Sequence, residues 1–165
     1  MAGFKLSIER PQLEKALFKG MVLGEDDSIH CDREAGIHYL ILPPIDSGVE
    51  DCPWGRFTYQ LNLPENNVCY LYAAAGNQEG DRSYMMDPAV SLLEKKKYLS
   101  SIRCLRFINK SDVVLYEIEG RYLWIALEII GEEASVANLK IRVPGDNFMA
   151  VFPEVYREKN SFFVS

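Results

Sequence analysis

Alternation of apolar and polar residues is the feature that most restricts the fold of this chain. The segment FTYQLNL, residues 57–63, alternates along its whole length, and LKIRV, residues 139–143, does the same. Successive side chains of a β-strand point to opposite faces, so a period of two places all the apolar residues on one face. Both segments therefore predict half-buried strands of an antiparallel sheet.

The segment RYLWIALEII, residues 121–130, departs from this pattern. Its odd-numbered residues from Leu123 to Ile129 are apolar, but Tyr122, Trp124 and Ala126 on the opposite face are apolar as well. We expect this strand to be buried on both faces, or to be covered on its second face by a neighbouring element.

Turn-forming residues separate further strand candidates. These lie at residues 4–8, 36–42, 68–74, 102–108 and 113–119. Helical patterns are scarce: one begins at Pro11 and ends near Gly20, and a second begins at Asp87 as N-cap with Pro88 in the first turn. The second could equally be an irregular loop. The pattern predicts an all-β fold, an antiparallel, jelly-roll-like β-sandwich with short helical pieces over residues 1–150.

Length and charge limit the classes of partner. The chain has 165 residues and a formal net charge of −6, with 18 Lys and Arg against 24 Asp and Glu. This acidic balance argues against binding to nucleic acid or to an anionic membrane, since both require a basic surface. No apolar run reaches the roughly 18 residues of a membrane span, and the N-terminus lacks the apolar core of a secretory signal. We expect a cytoplasmic protein without a membrane span.

Catalytic and metal-binding signatures are not found in the sequence. The four cysteines form no C-x-x-C pair and favour buried free thiols. His30 and His38 have no obvious nucleophile beside them, and Asp26 and Asp27 lack the spacing of a calcium loop. We predict a protein that is not an enzyme and that needs no cofactor or metal.

Aromatic side chains offer one route to a ligand. On a sandwich face, Trp54, Tyr70 and Tyr72 could stack against sugar rings, which predicts a carbohydrate-binding module as the alternative function. The competing interpretation is that the aromatic residues fill the core. Tyr59, in an alternating strand, and Trp124, in the most apolar strand, favour that second interpretation.

Three groups of segments, in order, resemble a known family. A β-rich module of phage tail-like baseplate proteins is similar to two of these groups: LPPIDSG followed by CPWGRFTYQLNLPEN, and DVVLYEIEGRYLWIALEIIG followed by VANLKIRVPGDNF. The third, FPEVYREKNSFF, resembles the start of the phage tail domain that follows this module in the family. The similarity covers most of the chain from about Ile37 onward. It implies a non-enzymatic structural part of a contractile tail baseplate, present in many copies and cytoplasmic until the particle is released.

Residues 151–165 are the docking segment that this resemblance implies. In the family the Pro-Glu-x-Tyr motif opens a longer helical domain, whereas here the sequence stops at SFFVS, which predicts a truncated helical stub. Pro153 and Glu154 suit the first turn of a helix. The predicted contacts to other tail proteins are Phe152, Pro153, Glu154, Val155, Tyr156, Phe162 and Phe163. The same apolar residues could instead fold back and cap an open end of the sandwich.

Overall fold

Two antiparallel sheets of six strands each form the part of the fold that the structure describes. The computed structural model describes residues 4–144. Sheet I contains β1 (Phe4–Ser7), β3 (Met21–Leu23), β4 (Ile29–Cys31), β7 (Arg56–Asn62), β10 (Asp112–Val114) and β12 (Ser135–Val143). Sheet II contains β2 (Leu17–Lys19), β5 (His38–Ile41), β6 (Ile45–Asp46), β8 (Val68–Gly76), β9 (Arg103–Ile108) and β11 (Tyr122–Ile130). The predicted all-β sandwich is confirmed.

One long strand organises each sheet. In sheet I the order is β10-β7-β12-β4-β3, and β1 shares with β4 the edge of β12 that faces away from β7. In sheet II the order is β2-β5-β11-β8-β9, and β6 extends the β5 side of β11. Every strand pair is antiparallel, so the register fixes which side chains share a face.

The main core lies between the two sheets. The inward residues of the alternating segments, such as Phe57 and Ile141 from sheet I, join Leu71, Ile125 and Leu127 from sheet II in one buried cluster. Their polar neighbours in sequence face outward, as the period of two predicts. Burial of this apolar surface is the main favourable term in the stability of the fold.

A second apolar cluster lies on the outer face of sheet II. It contains Trp124 and Ala126 of β11, which α2 (Arg82–Met85) and α3 (Leu92–Ser101) cover through Met85 and Leu99. The expectation that this strand is buried on both faces is therefore confirmed. The helices add a third layer over part of one sheet, which a plain two-sheet sandwich does not have.

The helices differ from the two predicted from sequence. The one with Pro11 in its first turn, α1 (Arg10–Leu13), is a single turn, because the chain enters β2 at Leu17. In α3 the N-cap is Ser91, whose hydroxyl accepts a hydrogen bond from the Glu94 amide at 3.2 Å, and not Asp87. Asp87 instead accepts from the amide of Ala89 in the turn that precedes the helix.

The cysteines are free, as predicted from their spacing. Cys52 and Cys69 are buried, while Cys31 and Cys104 are half-buried. Burial raises the pKa of all four thiols, to about 12 for Cys52 and about 11 for Cys31, because the thiolate would lose its hydration. They act as small apolar side chains at neutral pH.

Candidate functional site

The predicted docking segment lies outside the described residues. Residues 151–165 follow the range 4–144, and so does the predicted domain boundary at residue 150. The contacts assigned there to Phe152, Pro153, Glu154, Val155, Tyr156, Phe162 and Phe163 stay predictions. Surfaces within residues 4–144 are therefore the place to look for a site.

Trp54 is not a ligand-stacking residue, which corrects the sequence-based prediction. Its side chain is 1% exposed within the main core, and its Nε1 donates a hydrogen bond to the Gly120 carbonyl at 2.9 Å. The indole N–H is thus satisfied inside the protein, and neither ring face is open to a sugar. The competing interpretation, that the aromatic residue fills the core, is the right one here.

Tyr72 is also unavailable for stacking, because α3 covers it. Its ring is 7% exposed, Lys96 Nζ lies 5.6 Å from the ring centroid, and its hydroxyl donates to Glu128 at 3.3 Å. Tyr70 lies two residues earlier on the same face and is half-buried, with its ring 6.4 Å from that of Tyr72. Of the three proposed stacking residues, Tyr70 alone keeps an accessible ring.

Tyr70 belongs to an exposed apolar surface that we call the end patch, formed by Val68, Tyr70, Ile108 and Ile130. Val68 pairs directly with Ile130, and Tyr70 pairs with Ile108, so all four lie on the outer face of sheet II. Ile108 is 44% exposed and Ile130 is 50% exposed. The end patch continues the helix-covered cluster, since Tyr70 packs against its margin.

The end patch is open because α3 is short. A ten-residue helix is about 15 Å long, whereas the nine-residue strands β8 and β11 extend about 30 Å. The helix therefore covers only part of the length of the face. Sequence reasoning missed this surface, although the apolar residues on both faces of VCYLYAA and the short helical segment were visible signals.

Charged side chains border the end patch. Lys96 lies 3.3 Å from the carboxylate of Glu128, a residue that is 9% exposed. Burial lowers the pKa of Lys96, but the interactions with Glu128 and Tyr72 raise the pKa by more, so the net shift is upward. Arg106 stacks on Tyr70, with its guanidinium carbon 5.5 Å from the ring centroid. Within residues 4–144, Arg106 has no carboxylate partner.

The segments IDSG, residues 45–48, and GRYLW, residues 120–124, meet where β6 pairs with the start of β11. Arg121 forms a two-pronged ion pair with Asp46, with nitrogen–oxygen distances of 2.7 and 2.9 Å, and its guanidinium carbon lies 5.0 Å from the Tyr122 ring centroid. Ser47 adds a hydroxyl hydrogen bond of 2.9 Å to the Arg121 carbonyl. IDSG and GRYLW are thus joined by an ion pair and a hydrogen bond, and Arg121 has a structural partner.

The histidines have structural surroundings. Ser28 Oγ lies 2.6 Å from both Asp26 Oδ1 and His30 Nε2 at the tip of the β3–β4 hairpin. The hydroxyl donates its proton to the carboxylate, so His30 is not placed as a base for Ser28. His38 is buried, with Nε2 2.7 Å from the Asp32 carbonyl. Residues 4–144 contain no group of three His, Cys, Asp or Glu side chains arranged to hold a metal ion.

Comparisons with known proteins give a distant structural similarity but no family. No protein-family model matches the chain, and no curated protein is significantly similar to it. Among solved structures, it is similar to the Glycosylation Associate Protein (Gap123) complex from Streptococcus agalactiae, with a TM-score of 0.44 and 10% identity over 88% of this chain. The chain spans 26% of the length of that neighbour. A likeness this distant adds nothing to the assignment of function.

Proposed function

We propose that the chain is a non-catalytic assembly module that docks to another protein through the end patch. The observation that carries this proposal is a contiguous apolar surface, in which Ile108 and Ile130 are exposed and Val68 and Tyr70 are half-buried. Single exposed apolar residues are normal on protein surfaces, but contiguous ones on a rigid sheet are typical of interaction sites. A partner that covered these side chains would gain about 25 cal/mol of favourable free energy for each Å² of apolar surface removed from water.

The surroundings of the end patch define the chemistry of the partner. Arg106 borders the end patch and has no carboxylate within residues 4–144, so a partner with an Asp or Glu at its margin would complete a charge-assisted hydrogen bond. Arg and Tyr side chains are frequent energetic centres of interfaces. We therefore propose a partner surface of aliphatic or aromatic side chains with an acidic residue at its edge.

The more specific proposal is a component of a phage tail-like baseplate. It is supported by the ordered resemblance of the quoted segments to a β-rich module of that family. Fold alone does not establish function, so this part depends on finding the neighbours. The predicted partners are other baseplate and tail proteins. Within residues 4–144 no helix has the length and apolar character needed to cross a membrane.

Disruption of the end patch tests the docking proposal. We expect the Ile108→Thr/Ile130→Thr double variant to fold normally, since Thr suits exposed strand positions. Loss of about 2–4 kcal/mol of apolar contact would weaken a docked complex by at least about thirtyfold. The measurement is recovery of a stoichiometric complex with sheath, tube or baseplate proteins from producing cells.

The matched control is Val22→Thr, which removes an exposed apolar side chain, 56% accessible, from a strand of sheet I. It should retain the complex as well as the unaltered chain does. If the double variant recovers as much complex as the unaltered chain does, docking through the end patch is contradicted. Recovery of intact particles that lack this protein would contradict the baseplate assignment but would leave the docking proposal standing.

The carbohydrate alternative depends on Tyr70 among the three predicted stacking residues. The Tyr72 ring lies beside the Tyr70 ring, and the guanidinium of Arg106 stacks on Tyr70. Little of the Tyr70 ring is therefore left for a sugar. A glycan array with the unaltered chain and the Tyr70→Ala variant tests this alternative. Saccharide binding that disappears in the variant would favour it over protein docking.

A further inference from the structure

A basic surface lies on the outer face of sheet I in a chain whose net charge is −6. We call it the basic face and define it by Lys5, Arg56, Lys140 and Arg142. Lys5, Arg56 and Arg142 are exposed, and Lys140 is half-buried. These side chains come from β1, β7 and β12, so only the sheet brings them together, and no stretch of sequence shows the cluster.

The strand register aligns the cations. Arg142 of β12 pairs directly with Lys5 on one side and with Arg56 on the other. Lys140 lies two residues away on the same face of β12. Neighbouring strands are about 4.8 Å apart, and like charges opposite one another destabilise a sheet. This arrangement therefore costs stability in the unbound protein.

Counter-charges are few around the basic face. Arg56 lies 3.4 Å from the Asp112 carboxylate, and both side chains are largely exposed. Within residues 4–144, Lys5, Lys140 and Arg142 have no carboxylate partner. Three adjacent cations without a carboxylate partner among the described residues offer charge to an anionic ligand.

The shape of the basic face favours an extended ligand. The cations surround a shallow depression of about 250 Å³, whose floor includes Thr58 and Ile141. This is smaller than most small-molecule sites. Val114, which is 45% exposed, pairs with Arg56 and adds an apolar margin. The net negative charge of the chain repels a nucleic acid at long range, so a long polyanion is disfavoured.

We propose that the basic face binds an extended acidic peptide segment of a partner protein. The cations of Lys140 and Arg142 lie two residues apart on one strand, about 6.8 Å, which equals the spacing of alternate side chains in an extended peptide. Acidic residues at alternate positions of the peptide can thus meet successive cations of the basic face. An apolar residue of the peptide between them can then contact Val114. This surface is on the opposite sheet from the end patch, so the two can be occupied by different neighbours.

Peptide binding to the full chain tests the proposal. The probe is a synthetic peptide of alternating Asp and Val, compared with its Asn–Val counterpart by fluorescence anisotropy. We expect the Asp peptide alone to bind, with affinity falling at least about tenfold between about 0.05 and 0.5 M salt as the charges are screened. The Lys140→Gln/Arg142→Gln variant should bind at least about tenfold more weakly. Its melting temperature should equal or exceed that of the unaltered chain, because like-charge repulsion is removed.

The control variant is Lys97→Gln/Arg103→Gln, which removes two exposed cations from α3 and sheet II. It should bind the peptide as the unaltered chain does. Equal binding of the Asn peptide, or full binding by Lys140→Gln/Arg142→Gln, would overturn the proposal. Tighter binding of single-stranded DNA or inorganic phosphate than of the Asp peptide would overturn the ligand class. The Glu154→Gln/Glu158→Gln variant removes two acidic side chains of the chain itself. If the Asp peptide binds only to this variant, the basic face holds the chain's own acidic residues, and the proposal of an external partner is overturned.

Discussion

Gly120 is the residue on which the corner between the two motif-bearing segments depends. It has φ of +155°, and a Cβ built on it would lie 2.5 Å from the Cα and N atoms of Gly76. Its carbonyl also accepts the indole N–H of Trp54. Two glycine backbones therefore touch at the position where the ion pair of Asp46 and Arg121 closes the corner.

We expect Gly120→Ala to lower the free energy of unfolding by at least about 2 kcal/mol, because backbone atoms of Gly76 would have to move. Gly36→Ala is the matched control: a Cβ there meets no atom within 4 Å, so the change should be neutral or slightly stabilising. Denaturant unfolding of both variants checks this. A cost at Gly36 equal to that at Gly120 would contradict the packing argument.

The buried thiol of Cys52 leads to a second prediction, which concerns stability at alkaline pH. Burial raises the folded-state pKa of its thiol to about 12, above the ordinary value of 9.0. Because the folded pKa is the higher one, the stabilisation is complete below about pH 9 and is lost as the pH rises from about 9 towards about 12. Over that window the unfolded thiol ionises and the folded thiol does not, which costs about 1.4 kcal/mol per pH unit.

The free energy of unfolding, measured under reducing conditions between about pH 9 and pH 11, should fall less steeply in Cys52→Ala than in the unaltered chain. The difference in slope isolates this thiol, since the other raised groups are common to both proteins. Identical slopes would show that Cys52 is not protected from ionisation.

At the scale of elements, α3 is held on sheet II by two lysines with different partners. Lys95 is fully buried, and its Nζ donates to the Asp87 carbonyl at 2.6 Å and lies 5.5 Å from the Tyr39 ring centroid. Lys96 reaches Glu128 of β11. Lys95 thus ties the helix to the turn that precedes it and to β5, and Lys96 ties it to β11.

The pair of Lys96 and Glu128 should show measurable coupling. We expect Lys96→Met to destabilise by about 1–3 kcal/mol, because it leaves the nearly buried Glu128 carboxylate without its cation. Adding Glu128→Gln should recover much of that loss, which gives a double-mutant coupling of about 1 kcal/mol or more. The control cycle uses Glu94 and Lys97, whose exposed pair at 3.6 Å should couple by less than about 0.5 kcal/mol. Equal coupling in both cycles would contradict the anchoring role.

At the scale of the whole molecule, the two outer faces of the sandwich differ. Helices cover one end of sheet II and leave the end patch open at the other, while sheet I presents the basic face. Two surfaces of different chemistry on opposite sheets suit a protein that joins two neighbours. This arrangement suits the assembly role that we propose.

Sequence patterns predicted the sheets well because alternation is a local property. Residues 57–63 and 139–143 show their faces in the sequence itself, and the doubly apolar segment 121–130 revealed that something covers β11. The burial of Trp54 and the exposure of Ile108 were not predictable in this way, since each depends on what packs above it. The basic face was hidden for the same reason: its cations are separated by up to about 140 positions and meet only through strand pairing.

Amide hydrogen exchange on the isolated complex is the sharpest test of docking through the end patch. β9 is an edge strand of sheet II within residues 4–144, so part of its backbone is open to solvent in the free chain. We expect slower exchange at Arg103–Ile108 and at residues 68–70 in the complex, with no change at the exposed surface of α3 around Leu93. Unchanged exchange at those strands, with protection confined to other surfaces, would contradict docking through the end patch.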